Sequence, residues 1–294
     1  MNKVGFIGVG IMGKSMVRNL MKAGFELHIY ARTKSKVEDV ISEGAQFHES
    51  IKDCVQDCDA VITIVGFPQD VEEVYFDQGN ILDSAKEGAY LIDMTTTSPQ
   101  IAEKIYEEGT KRGFHVMDAP VTGGDTGAKA GTLSILVGGE KEDYEVCMPL
   151  FEAMGTNINY QGKAGCGQHC KLANQIMIAG TLSGVCEALT YAKEQGLDPE
   201  VFMKSVATGA AGSKQLDTFG PKILKDDYAP GFFMKHFIKD MKLALIEANR
   251  KGLSLDVLSM VLANYEELEQ EGYGDLGTQA LMKFYDEEHR NTEE

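Results

Sequence analysis

The sequence predicts an α/β protein with a doubly wound sheet of mostly parallel strands, followed by a second, all-helical domain. The chain opens with a short apolar strand, a glycine-rich turn and a helix. Strand-like and helix-like segments then alternate up to Ala119, which is typical of a parallel sheet with helices between its strands. Only helix-like segments follow Tyr160. We therefore place the domain boundary near residue 162, which gives domains of residues 1–162 and 163–294.

A glycine motif, Gly8-Val9-Gly10-Ile11-Met12-Gly13, lies between the first strand and a helix predicted over Lys14–Lys22. In this strand–turn–helix context, G-x-G-x-x-G is the dinucleotide-binding fingerprint of Rossmann domains. Gly8 allows the tight turn, Gly10 lets the backbone approach a pyrophosphate, and Gly13 lets the helix pack against the strand. The helix start adds unpaired N–H groups and partial positive charge for phosphates. A glycine-rich turn without a ligand is the alternative.

The residues after the second predicted strand, Leu27–Tyr30, favour NADP over NAD. An NAD site usually carries an acid at the end of this strand to bind the ribose 2′-hydroxyl, and no acid occurs from Leu27 to Val37. The stretch instead contains basic and hydroxyl side chains: Arg32, Thr33, Lys34, Ser35 and Lys36. Arginine and hydroxyl donors suit a 2′-phosphate. A solvated, basic helix start is the alternative.

Later strand-like runs identify the edge of the sheet where ligands should bind. These runs are Ala60–Val65, Tyr90–Met94, His115–Ala119 and Ser134–Val137. Ligands bind beyond the carboxyl ends of parallel strands, so we expect Val65-Gly66 and Thr95-Thr96 to face the cofactor. The segment Pro120–Gly127 is predicted to be a polar, glycine-rich loop at the same edge, whose backbone N–H groups converge on an anion. A flexible turn is the alternative.

The second half of the chain is predicted to be helical. Gly162, Gly165 and Gly167 are expected to form a loose connection to it. The predicted helices are Gln168–Gln195, Pro199–Thr208, Ile238–Lys251, Asp256–Gln270 and Thr278–Tyr285, and an acidic tail of low complexity covers Asp286–Glu294.

Lys171 is the candidate proton carrier. It lies in the first turns of the long helix, and Asn174 and Gln175 share its face because they are three and four residues further on. Reduction of a carbonyl by hydride needs a proton for the developing alkoxide, and a lysine with a lowered pKa can supply it. Amides such as these hold a hydroxyl or carboxylate without titrating. The alternative is that Lys171 is an exposed helix lysine. Separately, Lys239-Asp240 is expected to open another helix as a solvated pair.

Composition and charge limit the partners. Of 294 residues, 43% are hydrophobic and 25% are charged, as in ordinary globular proteins, and the net charge is −17. We therefore expect neither nucleic acid nor an anionic membrane surface as a partner. We expect no membrane span and no signal peptide, and hence a cytoplasmic protein. The six cysteines are expected to be reduced thiols, with no metal site, because their i, i+4 spacings lack further ligands.

Four segments in order resemble the β-hydroxyacid dehydrogenase family, whose members include 3-hydroxyisobutyrate dehydrogenase, 2-hydroxy-3-oxopropionate reductase and glyoxylate/succinic semialdehyde reductase. Gly5–Gly13 looks like the amino-terminal signature of the family, and Asp118–Gly124 looks like its substrate-binding loop. Gly165–Gln175 looks like its catalytic segment, and Ile238-Lys239-Asp240 matches a further segment near the active site. The resemblance covers nearly the whole chain.

The resemblance implies roles for individual residues. Lys171 would be the catalytic acid/base, with Asn174 or Gln175 beside it, and Lys239 would contact the nicotinamide end of the cofactor. The other implied residues fall into two groups. Substrate binding would involve Thr122, Gly123, Gly124, Lys171 and Asn174. Cofactor binding would involve Gly8, Gly10, Ile11, Met12, Gly13, Ala31, Arg32, Thr33, Lys36, Val65, Gly66, Thr96 and Lys239.

The sequence departs from the pattern of the family at a few positions. Thr122 stands where the family usually has Ser, and Ala31 stands where many members have Asn. Gln175 stands where many members have Asn, a role that Asn174 could take instead. Val65-Gly66-Phe67-Pro68 replaces the usual Leu-Pro-Asn turn.

The sequence therefore predicts a cytoplasmic, NADP-dependent oxidoreductase, with NAD possible, that interconverts a small β-hydroxyacid and its semialdehyde. Family members are commonly dimers or tetramers, so we expect a homodimer or homotetramer. The alternatives are an enzyme similar to 6-phosphogluconate dehydrogenase or to imine reductases, and a non-catalytic NADP-binding regulator.

Overall fold

The computed structural model describes residues 1–285, so the acidic tail lies outside the described residues. The chain divides into two compact units, Met1–Lys171 and Leu172–Glu294. This division falls inside the long helix, beyond residue 162, because the first turns of that helix are held by the strands of the first unit, as described below.

The first unit is built on one sheet with the strand order β3-β2-β1-β4-β5-β6-β8-β7, and β9 pairs with β8. Strands β1 to β6 run parallel, β8 is antiparallel to β6 and β7, and β9 is parallel to β8. The bounds are β1 Lys3–Ile7, β2 Glu26–Tyr30, β3 Gln46–Phe47, β4 Ala60–Thr63, β5 Tyr90–Asp93, β6 His115–Asp118, β7 Val121–Thr122, β8 Leu133–Gly139 and β9 Gly155–Gly162. The predicted doubly wound, mostly parallel sheet is confirmed.

Helices cover both faces of this sheet. Consecutive strand residues belong to different buried clusters: Phe6 and Ile62 pack in one, while Ile7 and Val61 pack in the other. Side chains alternate across a strand, so both faces must be covered by apolar neighbours. The helices are α1 Ile11–Lys22, α2 Glu38–Ser42, α3 Ile51–Val55, α4 Pro68–Phe76, α5 Ile81–Ser84, α6 Pro99–Lys111, α7 Gly124–Ala130, α8 Lys141–Val146 and α9 Met148–Met154.

Two connections are more ordered than the sequence predicts. The segment Pro120–Gly127 is not a loop, because β7 and the start of α7 lie within it. The turn between them is made by Gly123 and Gly124, whose φ angles of 132° and 66° favour glycine. The expected loose connection is also wrong: Gly162 ends β9, and Gly167 lies inside the long helix.

The second unit, over its described residues, consists of helices and one isolated bridge, Phe233–Gly277. The helices are α10 Cys166–Glu194, which begins in the first unit, α11 Pro199–Val206, α12 Lys214–Ile223, α13 Met234–Arg250 and α14 Asp256–Gln270. Short 3₁₀ segments follow at Tyr273–Asp275 and Thr278–Tyr285, the latter in place of a predicted α-helix. Helix α12 was not predicted, because Gly220 and Pro221 interrupt its pattern.

Helix α10 is long and apolar enough to cross a membrane by length and composition alone, although one such helix is weak evidence. Of its most apolar window, 44% is buried inside the protein. Leu182, Cys186 and Leu189 of this helix lie in the hydrophobic core of the second unit. Part of its apolar surface therefore belongs to this core, and a core helix passes the same test of length and composition.

Candidate functional site

The glycine turn after β1 has the geometry of a phosphate cradle. A Cβ added at Gly8, whose φ is 97°, would lie 2.1 Å from the Ile64 carbonyl oxygen, and one at Gly13 would lie 2.1 Å from the Gly8 oxygen. A Cβ at Gly10 would meet nothing within 4 Å. Gly8 and Gly13 are therefore required by packing, whereas Gly10 borders open space at the start of α1. The turn fits a dinucleotide pyrophosphate, since α1 has no side-chain cap and no acid in its first turn.

Helix α1 starts at Ile11, three residues before the predicted start at Lys14. Ile11 is 50% exposed and Met12 is half-buried, so the first turn of α1 presents apolar surface beside the cradle. Further along, the buried Asn19 donates from Nδ2 to the Ala128 carbonyl oxygen over 2.7 Å. This bond joins α1 to α7, the helix that starts at Gly124.

The basic segment after β2 meets acids from another element. Arg32, whose side chain is 63% exposed, donates to the Asp70 carboxylate of α4 and lies 3.7 Å from Glu73 Oε2. The hydrogen bond to Asp70 raises the pKa of Arg32 above its ordinary value. Thr33 and Lys36 are exposed, and Ala31 is half-buried against the core. The sequence between Leu27 and Val37 contains no acid, yet the fold supplies two.

A buried carboxyl group, Asp93, ends β5. Its Oδ1 accepts from the Thr63 hydroxyl at 2.8 Å and from the Thr95 N–H at 3.1 Å, whereas its Oδ2 is buried without a hydrogen-bond partner among the described residues. Burial raises the pKa of Asp93 to about 6, against the opposing effect of these hydrogen bonds. Thr95 Oγ1 in turn accepts from the Val65 N–H at 3.0 Å. The network thereby fixes the chain at the ends of β4 and β5.

Gln168, in the first turn of α10, clamps the segment that contains Thr96. Its side chain is fully buried. Nε2 donates to the Thr95 carbonyl oxygen at 2.7 Å, and Oε1 accepts from the Thr97 N–H at 3.0 Å. Both polar atoms of the amide are thus satisfied by the backbone on either side of Thr96. The half-buried Thr96 is held in place by its neighbours on both sides.

The start of α10 is also held by Asp118 at the end of β6. Asp118 Oδ1 accepts from the Gly165 N–H at 2.7 Å, and Oδ2 accepts from the Gln168 N–H at 2.8 Å. A Cβ at Gly138 would lie 2.5 Å from Asp118 Oδ1, and one at Gly167 would lie 2.4 Å from the Leu136 carbonyl oxygen. Burial raises the pKa of Asp118, which the two N–H donors oppose. A carboxylate at a helix start is favourable, and the glycines give the helix room to reach it.

Lys171 follows Gln168 by three residues, so both lie on the same side of α10. Lys171 is only 7% exposed, which is unusual for a lysine. The helix side that carries it faces the ends of β5 and β6, where Gln168 and Asp118 make their contacts. The segment with Thr122, Gly123 and Gly124 begins at the end of β6; Thr122 is half-buried and both glycines are exposed. The start of α10 and the start of this segment thus both lie at the carboxyl end of β6.

The second unit contains its own buried polar chain. Gln175 Nε2 donates to Asp240 Oδ2 at 2.6 Å, and Asn174 Nδ2 donates to Gln175 Oε1 at 2.8 Å. Lys239 Nζ lies 2.9 Å from Asp240 Oδ1. Gln175 and Asp240 are buried, so Gln175 serves as a partner for a buried carboxylate, whereas Asn174 is half-buried. Lys239 does not open a helix as predicted, because α13 already begins at Met234.

Residues 3–162 match the family described as the NAD binding domain of 6-phosphogluconate dehydrogenase. Residues 165–285 match the family described as NAD-binding of NADP-dependent 3-hydroxyisobutyrate dehydrogenase. The chain belongs to the β-hydroxyacid dehydrogenase family. It is an NAD(P)-dependent oxidoreductase that acts on CH–OH groups.

Relatives of this β-hydroxyacid dehydrogenase match it over nearly their whole length. "Uncharacterized oxidoreductase YkwC" of Bacillus subtilis is 49% identical over 96% of this chain and 98% of its own. "Probable 3-hydroxyisobutyrate dehydrogenase-like 1, mitochondrial" of Arabidopsis thaliana is 44% identical over 95% and 84%. "2-hydroxy-3-oxopropionate reductase" of Escherichia coli is 37% identical over 86% of both chains.

A solved structure supports the same assignment. The chain of 3-hydroxyisobutyrate dehydrogenase from Mycobacterium tuberculosis with L-serine superposes with a TM-score of 0.88 at 26% identity. The match covers 96% of this β-hydroxyacid dehydrogenase and 98% of that chain.

Three residues that sequence reasoning did not assign stand out in this β-hydroxyacid dehydrogenase. Gln168 and Asp118 lie within the segments that carry the resemblance, and a polar residue at the start of an apolar helix was an available signal for Gln168. Asp70 gave no such signal, because its partner Arg32 is 38 residues away.

No metal centre was predicted for this chain. Among residues 1–285, no group of three or more His, Cys, Asp or Glu side chains could hold a metal ion. All six cysteines are free thiols, and burial raises the pKa of Cys58 to about 12, so this thiol stays protonated at neutral pH.

Proposed function

We propose that this protein catalyses the NADP-linked interconversion of a small β-hydroxyacid and its semialdehyde. Relatives named for 3-hydroxyisobutyrate and for 2-hydroxy-3-oxopropionate support the substrate class, since both names denote short acids with an oxygen function on carbon 3. The preference for NADP rests on Arg32 and Thr33 after β2, where a 2′-phosphate would find guanidinium and hydroxyl donors. NAD is the other possible cofactor.

The buried position of Lys171 carries the proposal. When bound, the nicotinamide supplies or accepts the hydride. Lys171 Nζ donates a proton to the carbonyl oxygen during reduction and accepts it from the hydroxyl during oxidation. Its position on the side of α10 that Gln168 and Asp118 anchor keeps the ammonium away from bulk water. A proton carrier of this kind has no role in a protein that only binds the cofactor.

Other residues of the first unit bind the substrate and the cofactor in this proposal. The Thr122 hydroxyl and the backbone N–H groups of Gly123 and Gly124 hold the substrate carboxylate, because the turn they form exposes its backbone. Gly10 and the start of α1 hold the pyrophosphate, and Thr96 and Val65 lie alongside the nicotinamide end. In the second unit, Lys239 and Asn174 are proposed to contact the cofactor and the substrate.

The experiment is a panel of short semialdehydes assayed with NADPH and with NADH. We expect turnover with at least one three- or four-carbon semialdehyde acid, and a higher kcat/KM with NADPH. Replacing Lys171→Met should lower kcat by about 10²–10⁴-fold, the usual contribution of a general acid. Lys193→Met removes an exposed lysine from the same helix and should leave turnover unchanged.

Two results would contradict the proposal. Near-normal turnover by Lys171→Met would remove Lys171 from the reaction. Cofactor binding without turnover of any semialdehyde in the panel would favour a non-catalytic regulator instead.

We also propose that the protein is a homodimer or homotetramer. Met177 of α10 is 72% exposed, and Val257 and Met260 of α14 are 59% and 52% exposed. A Cβ at Gly180 would lie 3.7 Å from Val257 Cγ1, so these side chains belong to one apolar surface. Light scattering after size exclusion tests this: Met177→Glu should shift the protein toward the monomer, and a wild-type monomer would refute the proposal.

A further inference from the structure

Arg32 and Asp70 form an ion pair at the position expected to read the 2′ group of the cofactor. Arg32 follows β2 and is the main reason to expect NADP. Its guanidinium donates to Asp70 Oδ1 and lies near Glu73 Oε2, at 3.7 Å. The charge that should attract a 2′-phosphate is therefore already paired within the protein.

Asp70 is the more firmly held partner of the two. Its side chain is 19% exposed, whereas that of Arg32 is 63% exposed. Its second oxygen, Oδ2, accepts from the Phe67 N–H at 3.0 Å, which caps the start of α4. The carboxylate is thus anchored by the helix that follows β4, and the exposed arginine is the side that can move.

A phosphate and the Asp70 carboxylate compete for the Arg32 guanidinium because both are anions that pair with it. A 2′-phosphate bound by Arg32 must displace Asp70 or lie beside it, and either arrangement reduces the gain in free energy. A ribose 2′-hydroxyl carries no charge, so a cofactor without the phosphate does not bear this cost. The effect of Asp70 therefore falls on NADP and not on NAD.

We propose that Asp70 is a specificity-determining residue that competes with the 2′-phosphate of the cofactor for Arg32 and so narrows the preference for NADP over NAD. The inference rests on the proposed use of NADP at Arg32.

The test measures binding of cofactor fragments by titration calorimetry, without any turnover. The probes are 2′,5′-ADP, which carries the 2′-phosphate, and 5′-AMP, which lacks it. Asp70→Asn keeps an oxygen to accept from the Phe67 N–H but removes the charge. We expect this variant to bind 2′,5′-ADP about fivefold more tightly, the effect of roughly 1 kcal/mol from an exposed ion pair, and to bind 5′-AMP as the wild type does.

Two control variants make the result specific. Glu72→Gln removes one charge from the same helix, where Glu72 pairs with Lys104 at 3.5 Å, and should change binding of either probe less than about twofold. Arg32→Ala should weaken 2′,5′-ADP binding and should abolish the gain from Asp70→Asn when the two are combined. Melting temperatures confirm that each variant is folded.

The outcomes separate this proposal from the proposed function. Unchanged or weaker 2′,5′-ADP binding by Asp70→Asn, or a gain that persists in full without Arg32, would overturn the role of Asp70. Equal binding of 2′,5′-ADP by wild type and Arg32→Ala would overturn both the role of Asp70 and the NADP preference. A failure of the semialdehyde panel would refute the reaction but leave the fragment result standing.

Discussion

Gln168 and Thr95 are joined by a buried hydrogen bond, in which Gln168 Nε2 donates to the Thr95 carbonyl oxygen over 2.7 Å. With the reciprocal bond from the Thr97 N–H, this amide ties the first turn of α10 to the segment that follows β5. Lys171 lies three residues beyond Gln168, and Thr96 lies between the two bonded residues. The Gln168 side chain therefore fixes the positions of Lys171 and Thr96 relative to the sheet.

We expect substitution of Gln168 to impair turnover more than cofactor affinity. Gln168→Leu removes both bonds and should lower kcat by about tenfold to a hundredfold, because small displacements of catalytic groups are costly. Gln168→Glu keeps an acceptor for the Thr97 N–H but faces the Thr95 oxygen without a donor, at a cost of about 1–3 kcal/mol in the free energy of unfolding. Steady-state kinetics and urea unfolding measure both effects.

His169→Ala is the matched control for Gln168, since His169 is the exposed neighbour on the same helix. It should leave kcat and stability close to wild type. A Gln168→Leu variant with wild-type kcat would show that the clamp does not position the reacting groups.

Gly10 and Gly13, in the glycine motif after β1, should respond differently to substitution by alanine. Gly10→Ala should leave the free energy of unfolding within about 0.5 kcal/mol of wild type, because its Cβ meets nothing within 4 Å, yet weaken NADPH binding by tenfold or more. Gly13→Ala should destabilise the fold by more than about 2 kcal/mol, since its Cβ would lie 2.1 Å from the Gly8 oxygen. Thermal unfolding and quenching of NADPH fluorescence give the two values, and tight NADPH binding by Gly10→Ala would argue against the phosphate cradle.

Asp93 should make the protein less stable as the pH rises. Its pKa is raised to about 6 from an ordinary value of 3.8, so the folded state prefers the protonated form. The stabilisation is complete below the ordinary pKa and is lost as the pH rises through 6. Between pH 4.5 and 7.5 the loss is roughly 2 kcal/mol.

Asp93→Asn removes this titration and isolates the effect. The free energy of unfolding of the variant minus that of the wild type should rise by roughly 2 kcal/mol between pH 4.5 and pH 7.5. Urea unfolding at both pH values measures it. A difference that stays constant with pH would mean that Asp93 is not the titrating group.

Much of the nucleotide unit could be predicted because its signals are local. The G-x-G-x-x-G motif, its flanking strand and helix, and the alternation of elements up to Ala119 each lie within a short stretch of sequence. The same holds for Lys171. Its position in the first turns of a helix beside the sheet was predicted from the sequence, its catalytic role was implied by the resemblance, and the structure buries its side chain.

The remaining features depend on contacts between distant residues. The pairing of Arg32 with Asp70 joins two elements that follow different strands, so the stretch from Leu27 to Val37 alone suggested a purely basic site. The clamp made by Gln168 depends on the fold bringing Thr95 and Asp118 to one edge. The ordered turn at Gly123 and Gly124 was missed because glycines that allow positive φ resemble a flexible loop in sequence.

The bond from Asn19 to the Ala128 carbonyl oxygen has a thermodynamic consequence. It links α1, whose start is the proposed pyrophosphate site, to α7, which begins at Gly124 beside the proposed carboxylate site. Suppose that both ligands bind more tightly to the same relative setting of the two helices. Each ligand then raises the affinity of the other by one common factor, whichever binds first. A cofactor and an acid substrate that both favour the setting held by this bond would then promote each other's binding, through an asparagine outside both proposed sites.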